Sequence, residues 1–553
     1  YLKRAPQPRQ RVNLVINAPP ELSFNYLMHF AVSPDGRQLA FIPSDGKIWV
    51  QRLDEFTSVP MRDTEGAQSL FWSADSRFLG FKIEKRLRRL EPATGKLETL
   101  CDSMPGVDFS WNRDGIILSA ELNEPIKRAN IKDCKVTPVT RLDSARGELF
   151  QLYPRFLPDG HQFLYLSRFN GSQGQNSIGG LNVGSLDSTR TSLLTRKESN
   201  AAYVAPGYLL FGNEGTFLVQ PFDTKNGQLT GEALPLSEPQ AAFNGGDAYT
   251  NFSVSENRVL VYQPEPQIDY KLQWVDRNGK KLDELLPPGK YGRMRLSADG
   301  KQIVLARAEA GSHRGDLWTW DIERKIWNRL TYHSSPGGGF GVWSPDKRHI
   351  VISIYESGVQ HLYLKDADGS GEEQLLPASA NWMRPWDWSR DGKFLVYSQH
   401  SETSEELRVL SMTGDQKTPQ IAIGLGTDAR FSPDGQSIVY ASDKSGRSEI
   451  YVQSFPVHGR AWQISTGGGD SPRWSRDGKE LFFISPNDKL MAARIGANLH
   501  TETPMPLFDL KSSEDTEFEV SPDGRLLLGV PVKEVTSFPL HVIVNWSPGL
   551  SSE

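Results

Sequence analysis

The chain has 553 residues, more than one ordinary hydrophobic core accommodates. Apolar residues make up 38%, and 62 Lys and Arg stand against 67 Asp and Glu, a net charge of −5 that argues against a general nucleic-acid binder. No stretch of about 20 apolar residues offers a membrane span, and 49 Gly with 36 Pro suit a turn-rich, all-β chain.

The opening YLKRAPQPRQR is basic and contains Pro. Segments just outside a membrane helix often look like this, and a plain basic tail is the equal alternative, so residues 1–10 are read as a membrane-proximal or linker segment. RVNLVIN at 11–17 is the first strand pattern. Then one phrase recurs along the chain. SPDGRQLAF at 33–41 returns as SADSRFLGF (73–81), SADGKQIVL (297–305), SRDGKFLVY (389–397), SPDGQSIVY (432–440), SRDGKELFF (475–483) and SPDGRLLLG (521–529). Each copy opens a unit with a third strand, such as KIWVQRL (47–53) or EIYVQSF (449–455), and a fourth, such as WNRLT (327–331) or WQIST (462–466).

The phrase has a local cause. Pro presets φ at the first central turn position, Asp bonds forward to the backbone, and Gly accepts positive φ. The pairs Asp35–Gly36, Asp299–Gly300, Asp391–Gly392, Asp434–Gly435, Asp477–Gly478 and Asp523–Gly524 are therefore structural turns rather than catalytic or calcium-binding carboxylates. Asp114, Asp159 and Asp346 mark further copies, and APGYLLF (205–211) and SENRVLVY (255–262) fill the long gap between 159 and 299. Twelve units of four short strands at a period of about 40–50 residues predict β-propeller blades. Since known rings hold about 4–8 blades, the reading is two six-bladed propellers: 18–268 and 269–546, with a tail at 547–553. The last unit ends on LHVIVNW (540–546) without a fourth strand, so residues 11–17 are expected to complete that last blade and remove an open edge.

These repeats resemble the TolB-like propeller repeat, a relative of WD-repeat propellers, over roughly residues 28–545. The longer phrases GAQSLFWSADSRFLGF, YPRFLPDGHQFLYL and WQISTGGGDSPRWSRDGKELFF resemble the extracytoplasmic C-terminal region of acidobacterial-type membrane Ser/Thr protein kinases, a region that also follows some membrane-anchored winged-helix regulators. The resemblance implies an extracytoplasmic module, anchored through a preceding segment. No Gly-rich phosphate loop, HRD or DFG occurs in the chain, and no GxSxG elbow.

By two-residue alternation, the residue before the aromatic of each xWSPDG phrase faces the propeller channel. In the second half these are Arg295, Val342, Asp387, Arg430, Arg473 and Glu519; in the first half, Ala31, Leu70, Ser110, Arg155, Tyr203 and Ser253. Nearby loops of the second half add Tyr291, His333, Trp382, Arg384, Trp386 and Asp470. Arg suits forked recognition of carboxylate or phosphate, so Arg295, Asp387, Arg430, Arg473, Glu519, Trp382, Arg384 and Asp470 form the candidate ligand site. A channel filled by Arg–carboxylate pairs is the competing reading. DADGSGEE (366–373), HRGD (313–316) and the GGG runs at 337–339 and 467–469 are read as plain turns and loops. No cofactor and no metal are expected; the ten His are scattered. Cys101 and Cys134 are placed on opposite propeller faces, so no disulfide is expected. The functional expectation is a non-enzymatic sensor or interaction module of a membrane signalling protein, binding a protein, peptide or small molecule and not nucleic acid. The alternatives are a TolB-like envelope scaffold and an accessory propeller of a hydrolase.

Overall fold

The computed structural model describes residues 11–55, 57–169, 179–213, 215–236, 240–244, 248–266, 268–308, 314–332, 335–336, 339–356, 359–377, 383–400, 405–413, 421–456, 461–496, 499, 501–510, 517–533 and 537–546. The fold is all-β: small antiparallel sheets, with a single 3-10 turn at Ser144–Arg146 and no α-helix among the described residues. The chain divides into two units, residues 1–266 with 536–553, and residues 267–535.

The repeated phrase folds as its chemistry dictates. In SPDG at 432–435, Ser432 Oγ donates to Asp434 Oδ1 (2.5 Å), and that oxygen also accepts from Gln436 N (3.0 Å). Gly435 N closes the turn on Ser432 O (2.8 Å), with Gly435 at φ +71°. Asp299, Asp346, Asp391 and Asp477 repeat the pattern. The preceding aromatic has its own task. The indole N–H of Trp72 donates to Ala31 O (3.0 Å), that of Trp343 to Arg295 O (3.1 Å), and that of Trp474 to Arg430 O (3.4 Å). Each of these indoles ties its sheet to the channel strand of the sheet before it, which is why an aromatic recurs at this place in the phrase.

In the first unit, six sheets of four or five strands begin on Phe30–Val32, Gln68–Trp72, Asp108–Trp111, Glu148–Phe156, Ala201–Val204 and Phe252–Val254. Each of these inner strands touches the next, and the sixth touches the first, so the circle closes. The second unit repeats the scheme from Tyr291–Leu296, Gly341–Trp343, Met383–Trp388, Thr427–Phe431, Asp470–Trp474 and Phe518–Val520. Apolar layers fill the space between sheets. Ala31, Ala40 and Val50 of one sheet, for example, pack on Trp72, Leu79, Phe81 and Leu90 of the next.

Closure differs from the consecutive reading. Strand Val12–Ile16 does pair with Leu540–Val544, from Val12↔Val544 to Ile16↔Leu540. The sheet they share, however, starts with Phe252–Val254 and Leu260–Tyr262 and belongs to the first unit. The last sheet of the second unit is instead completed by Tyr270–Val275 and Lys281–Gly289. The second unit is thus inserted between the second and third strands of the first unit's sixth sheet. Residues 537–546 leave the expected span 269–546 and join the first unit. A linear count of strands could not see this, because either assignment leaves the same number of strands per sheet.

The cysteines are a second correction. Cys101 and Cys134 form a disulfide, with Cα atoms 5.7 Å apart. Cys101 ends the outer strand of the second sheet, and Cys134 lies in the turn before the outer strand of the third. Opposite faces would keep them apart if the sheets were flat. Twist of about 20–25° per strand turns an outer strand by roughly 60–75° from its inner one, so its end swings toward the neighbouring sheet. The pair lies in the layer of Leu87, Met104, Phe109 and Ile117. Replacing Cys101 by Ala is expected to cost about 3–4 kcal/mol on a chain-entropy estimate. Urea unfolding with and without reductant checks this, and a parent indifferent to reductant would refute the bridge.

Candidate functional site

All six residues read as channel-facing in the second unit line one cavity of about 190 Å3. Their side chains spend their charge on one another. Asp428 is the hub: its Oδ1 takes Arg430 Nη2 (2.9 Å) and Arg473 Nη1 (3.1 Å), with Arg295 Nη2 at 3.7 Å. Glu519 Oε1 accepts from Arg473 Nε (2.9 Å) and Arg295 Nη1 (3.4 Å), and Glu517 Oε2 lies 3.5 Å from Arg295. Backbone carbonyls take more donors, Arg430 Nη1 reaching Trp386 O (2.6 Å) and Ala429 O (2.9 Å). Asp387 Oδ2 accepts from Phe431 N (2.9 Å).

The three arginines, Asp428 and Glu519 are buried. Burial works to raise the Asp428 carboxyl, but Arg473, Arg430 and Arg295 overcome it and hold it well below the carboxylate range. Burial, then Arg295 and Arg473, bring Arg430 down to about 9. Burial pushes the Asp387 carboxyl up against the pull of Arg430. The guanidinium forks that suggested anion recognition are largely filled from within. Arg295 Nε, Arg430 Nη2 and Trp386 Nε1 are buried donors without a hydrogen-bond acceptor among the described residues, the Arg430 Nη2 approach to Asp428 being an ion pair outside hydrogen-bond geometry.

Of the other expected site residues, Arg384 packs its guanidinium on the Phe340 ring (5.1 Å) and Asp470 sits exposed, bonding Ser471 N (2.6 Å). Trp382 and His333 lie outside the described residues. In HRGD, Asp316 is buried, binding Arg329 (2.5 Å) and the Thr331 hydroxyl (2.9 Å). In DADGSGEE, Asp368 caps a turn through Ser370 N (2.9 Å). No group of three potential metal ligands converges among the described residues.

Asp428 and Glu517 escaped the sequence reading. Both stand two positions before a residue it named, Arg430 and Glu519, so the same alternation carried the signal. A bulge obscures it at Asp428, which has φ +47° and a register shift between Thr427 and Arg430.

The first unit's channel is different. Its six expected residues also line one cavity, of about 630 Å3. Ala31, Leu70, Ser110 and Ser253 leave space where the other channel holds arginines. Arg155, which lines this cavity together with Arg113, puts its hydrogen bonds among the described residues on Nη1: to Asp108 Oδ2 (2.9 Å), Phe109 O (3.2 Å) and Pro154 O (2.8 Å). Its side chain is 35% exposed. Tyr153 and Tyr249, with ring centroids 5.2 Å apart, stand beside it, and burial pushes the Tyr249 phenol up to about 12.

Radial four-stranded sheets around such channels define a β-propeller protein. Residues 341–535 match the family model of the TolB beta propeller domain, so this part of the chain is TolB-like. The Tol-Pal system protein TolB of Anaeromyxobacter dehalogenans is 31% identical over 77 residues, 14% of this chain and 17% of that protein. The matched stretch thus spans about a sixth of that curated relative. Among solved structures, one assigned as TolB from Agrobacterium tumefaciens aligns with 19% identity over 48% of this chain and 100% of that one, at a TM-score of 0.41. TolB from Acinetobacter baumannii aligns with 15% identity over 62% of this chain and 80% of that one, at 0.33.

Proposed function

We propose that this chain is a non-catalytic binding scaffold that works outside the cytoplasm, with the first unit's channel as its receptive site. The observation that carries the reading is the contrast between the two channels. One is packed with ion pairs, and the other is an open, aromatic-lined cavity in which the Arg155 Nε and Nη2 make no hydrogen bond among the described residues. Such a donor edge beside the Tyr153 and Tyr249 rings suits the free carboxylate at the end of a peptide. The TolB-like domain supports the scaffold reading, and the Cys101–Cys134 bridge suits an oxidising compartment. The narrower reading, a sensor attached to a membrane signalling protein such as a Ser/Thr kinase, is supported by the sequence resemblance alone.

Panning a library of hexapeptides with free C-termini against the full chain tests the proposal. Enriched sequences are expected to end in apolar residues and to lose binding on C-terminal amidation and in Arg155→Met. Leu70→Trp, which fills the channel from a side chain outside the Arg155 hydrogen bonds, should abolish capture as well. Enrichment indifferent to all three changes would refute the channel as the site.

A further inference from the structure

The second unit holds another unusual cluster, away from its channel. A cavity of about 1410 Å3 opens between the sheet that starts at Tyr291–Leu296 and the outer strand Lys281–Gly289 of the neighbouring sheet. Its floor is aromatic. Trp320 and Trp327 have ring centroids 4.9 Å apart, Trp318 meets Trp327 edge-on at 6.1 Å, and Tyr291 stacks on Trp327 at 6.3 Å.

Two arginines lie on these rings, and their circumstances differ. Arg329 lies over Trp318 (5.7 Å) and Tyr332 (4.6 Å), and its donors are consumed: Nη2 by Asp316 Oδ2 (2.5 Å) and Nε by Thr331 O (3.0 Å). Arg307 lies over both Trp318 (5.2 Å) and Trp327 (4.7 Å), yet makes no hydrogen bond or ion pair among the described residues. Its Cζ sits in the angle between these two edge-to-face indoles, and its N–H groups are uncommitted among the described residues. The two cation–π contacts offset the rotamer entropy of that pose and leave the N–H donors over.

A second donor lines the same cavity. Trp320 is 8% exposed, and its buried Nε1–H meets no acceptor among the described residues. A buried unpaired donor costs about 1–3 kcal/mol. Two unanswered donors in one cavity define the complement: a planar acceptor with two oxygens, coplanar with a guanidinium held against these rings. The nearby carboxylates do not supply it. Glu284 is held by Lys281 (3.1 Å), Asp283 bonds Glu284 N (2.8 Å), and Asp316 is held by Arg329.

We infer that this cavity binds a monocarboxylate with an apolar body. The carboxylate sits on the Arg307 fork and takes the Trp320 N–H, while the body lies against Leu285 and Pro287. Lys290, Lys325 and Arg525 line the same cavity beside Asp269, so net charge does not separate a carboxylate from phosphate; the planar, two-oxygen shape of the acceptor does. This site is independent of the channel proposed above.

The test is a titration of the full chain, followed by its tryptophan indole 1H–15N resonances. The probes are phenylacetate, neutral phenylacetamide and inorganic phosphate. Phenylacetate is expected to move the Trp320 resonance saturably, in the millimolar range typical of so small a ligand. Arg307→Lys, which keeps the charge but not the fork, should weaken binding about tenfold or more. Trp320→Phe should weaken it less while the remaining indole resonances still report binding, and Arg155→Met should leave it unchanged. Equal affinity for phenylacetamide would make the cavity merely apolar, and equal affinity for phosphate would make it a general anion site. Either result overturns the inference, as would indifference to Arg307→Lys or the lack of saturable binding.

Discussion

Asp428→Ala is expected to destabilise the second unit by about 3–5 kcal/mol, because it strands buried guanidinium groups that share one carboxylate. A loss of that size lowers the melting temperature by roughly 10 °C in a unit of this size. Asp428 is 7% exposed and lies within 4 Å of Arg295, Arg430 and Arg473, so removing it leaves three cations facing Glu519, Glu517 and the burial-raised Asp387. The damage should be reparable. Arg430 is the cation that burial and its two neighbours oppose most, so Asp428→Ala/Arg430→Met should recover at least half of the loss. The pH dependence has a definite sign. The folded pKa of Asp428 lies below the unfolded value, so its stabilisation is complete above about pH 3.9 and is lost as pH falls below that. Asp387 acts in the opposite sense, since its raised carboxyl costs stability that acidification returns. Below pH 4 the parent should therefore lose stability faster than Asp428→Ala. Differential scanning calorimetry at several pH values reads both effects. A loss under about 1 kcal/mol would mean that the network is solvated like surface pairs.

Deleting residues 11–17 is expected to lower the unfolding transition of the first unit alone. The strand Val12–Ile16 supplies one side of the ladder on Leu540–Val544, and its Ile16 packs with Phe24, Phe30, Leu540 and Val542. Burial of one Ile is worth about 2 kcal/mol and each ladder bond about 1 kcal/mol, so a loss of about 4–6 kcal/mol follows. The uncovered strand, with buried Leu540 and Val542, should also promote association through its free edge. Hydrogen exchange resolved by fragment reads the two units separately. If protection fell in residues 518–531 instead, the closing strand would belong to the second unit's last sheet and the nested connectivity would be wrong.

Local chemistry was legible in the sequence, and closure was not. The SPDG turns, the alternation of the flanking strands and the channel positions from Ala31 to Glu519 follow from interactions within a few residues, and the structure places them accordingly. What escaped depends on strands far apart in the chain. LHVIVNW reads as a strand in any sheet; only packing against Leu260–Tyr262 assigns it. Cys101 and Cys134 fall on opposite faces of an ideal blade, and only the accumulated twist of real sheets brings them together. At the channel, the arginines were visible but their satisfaction was not. Asp428 sits at a bulge, where strict alternation fails. The Arg307 site was out of reach for the same reason: Trp318 and Trp327 are ordinary strand residues until the sheet brings both against one guanidinium.

The insertion of one propeller within a sheet of the other also sets a timetable. As the chain emerges, five sheets of the first unit can form, but the sixth must wait for Leu540–Val544, which lies beyond roughly 270 residues of intervening chain. At about 5–20 residues per second that delay is roughly 15–55 s. During it the edge of Leu260–Tyr262 is open and Val12–Ile16 has no partner, while the second unit already carries both halves of its own closing sheet. The propeller made last is thus completed first. Throughout the synthesis of the second unit, that open edge of the first unit therefore needs protection.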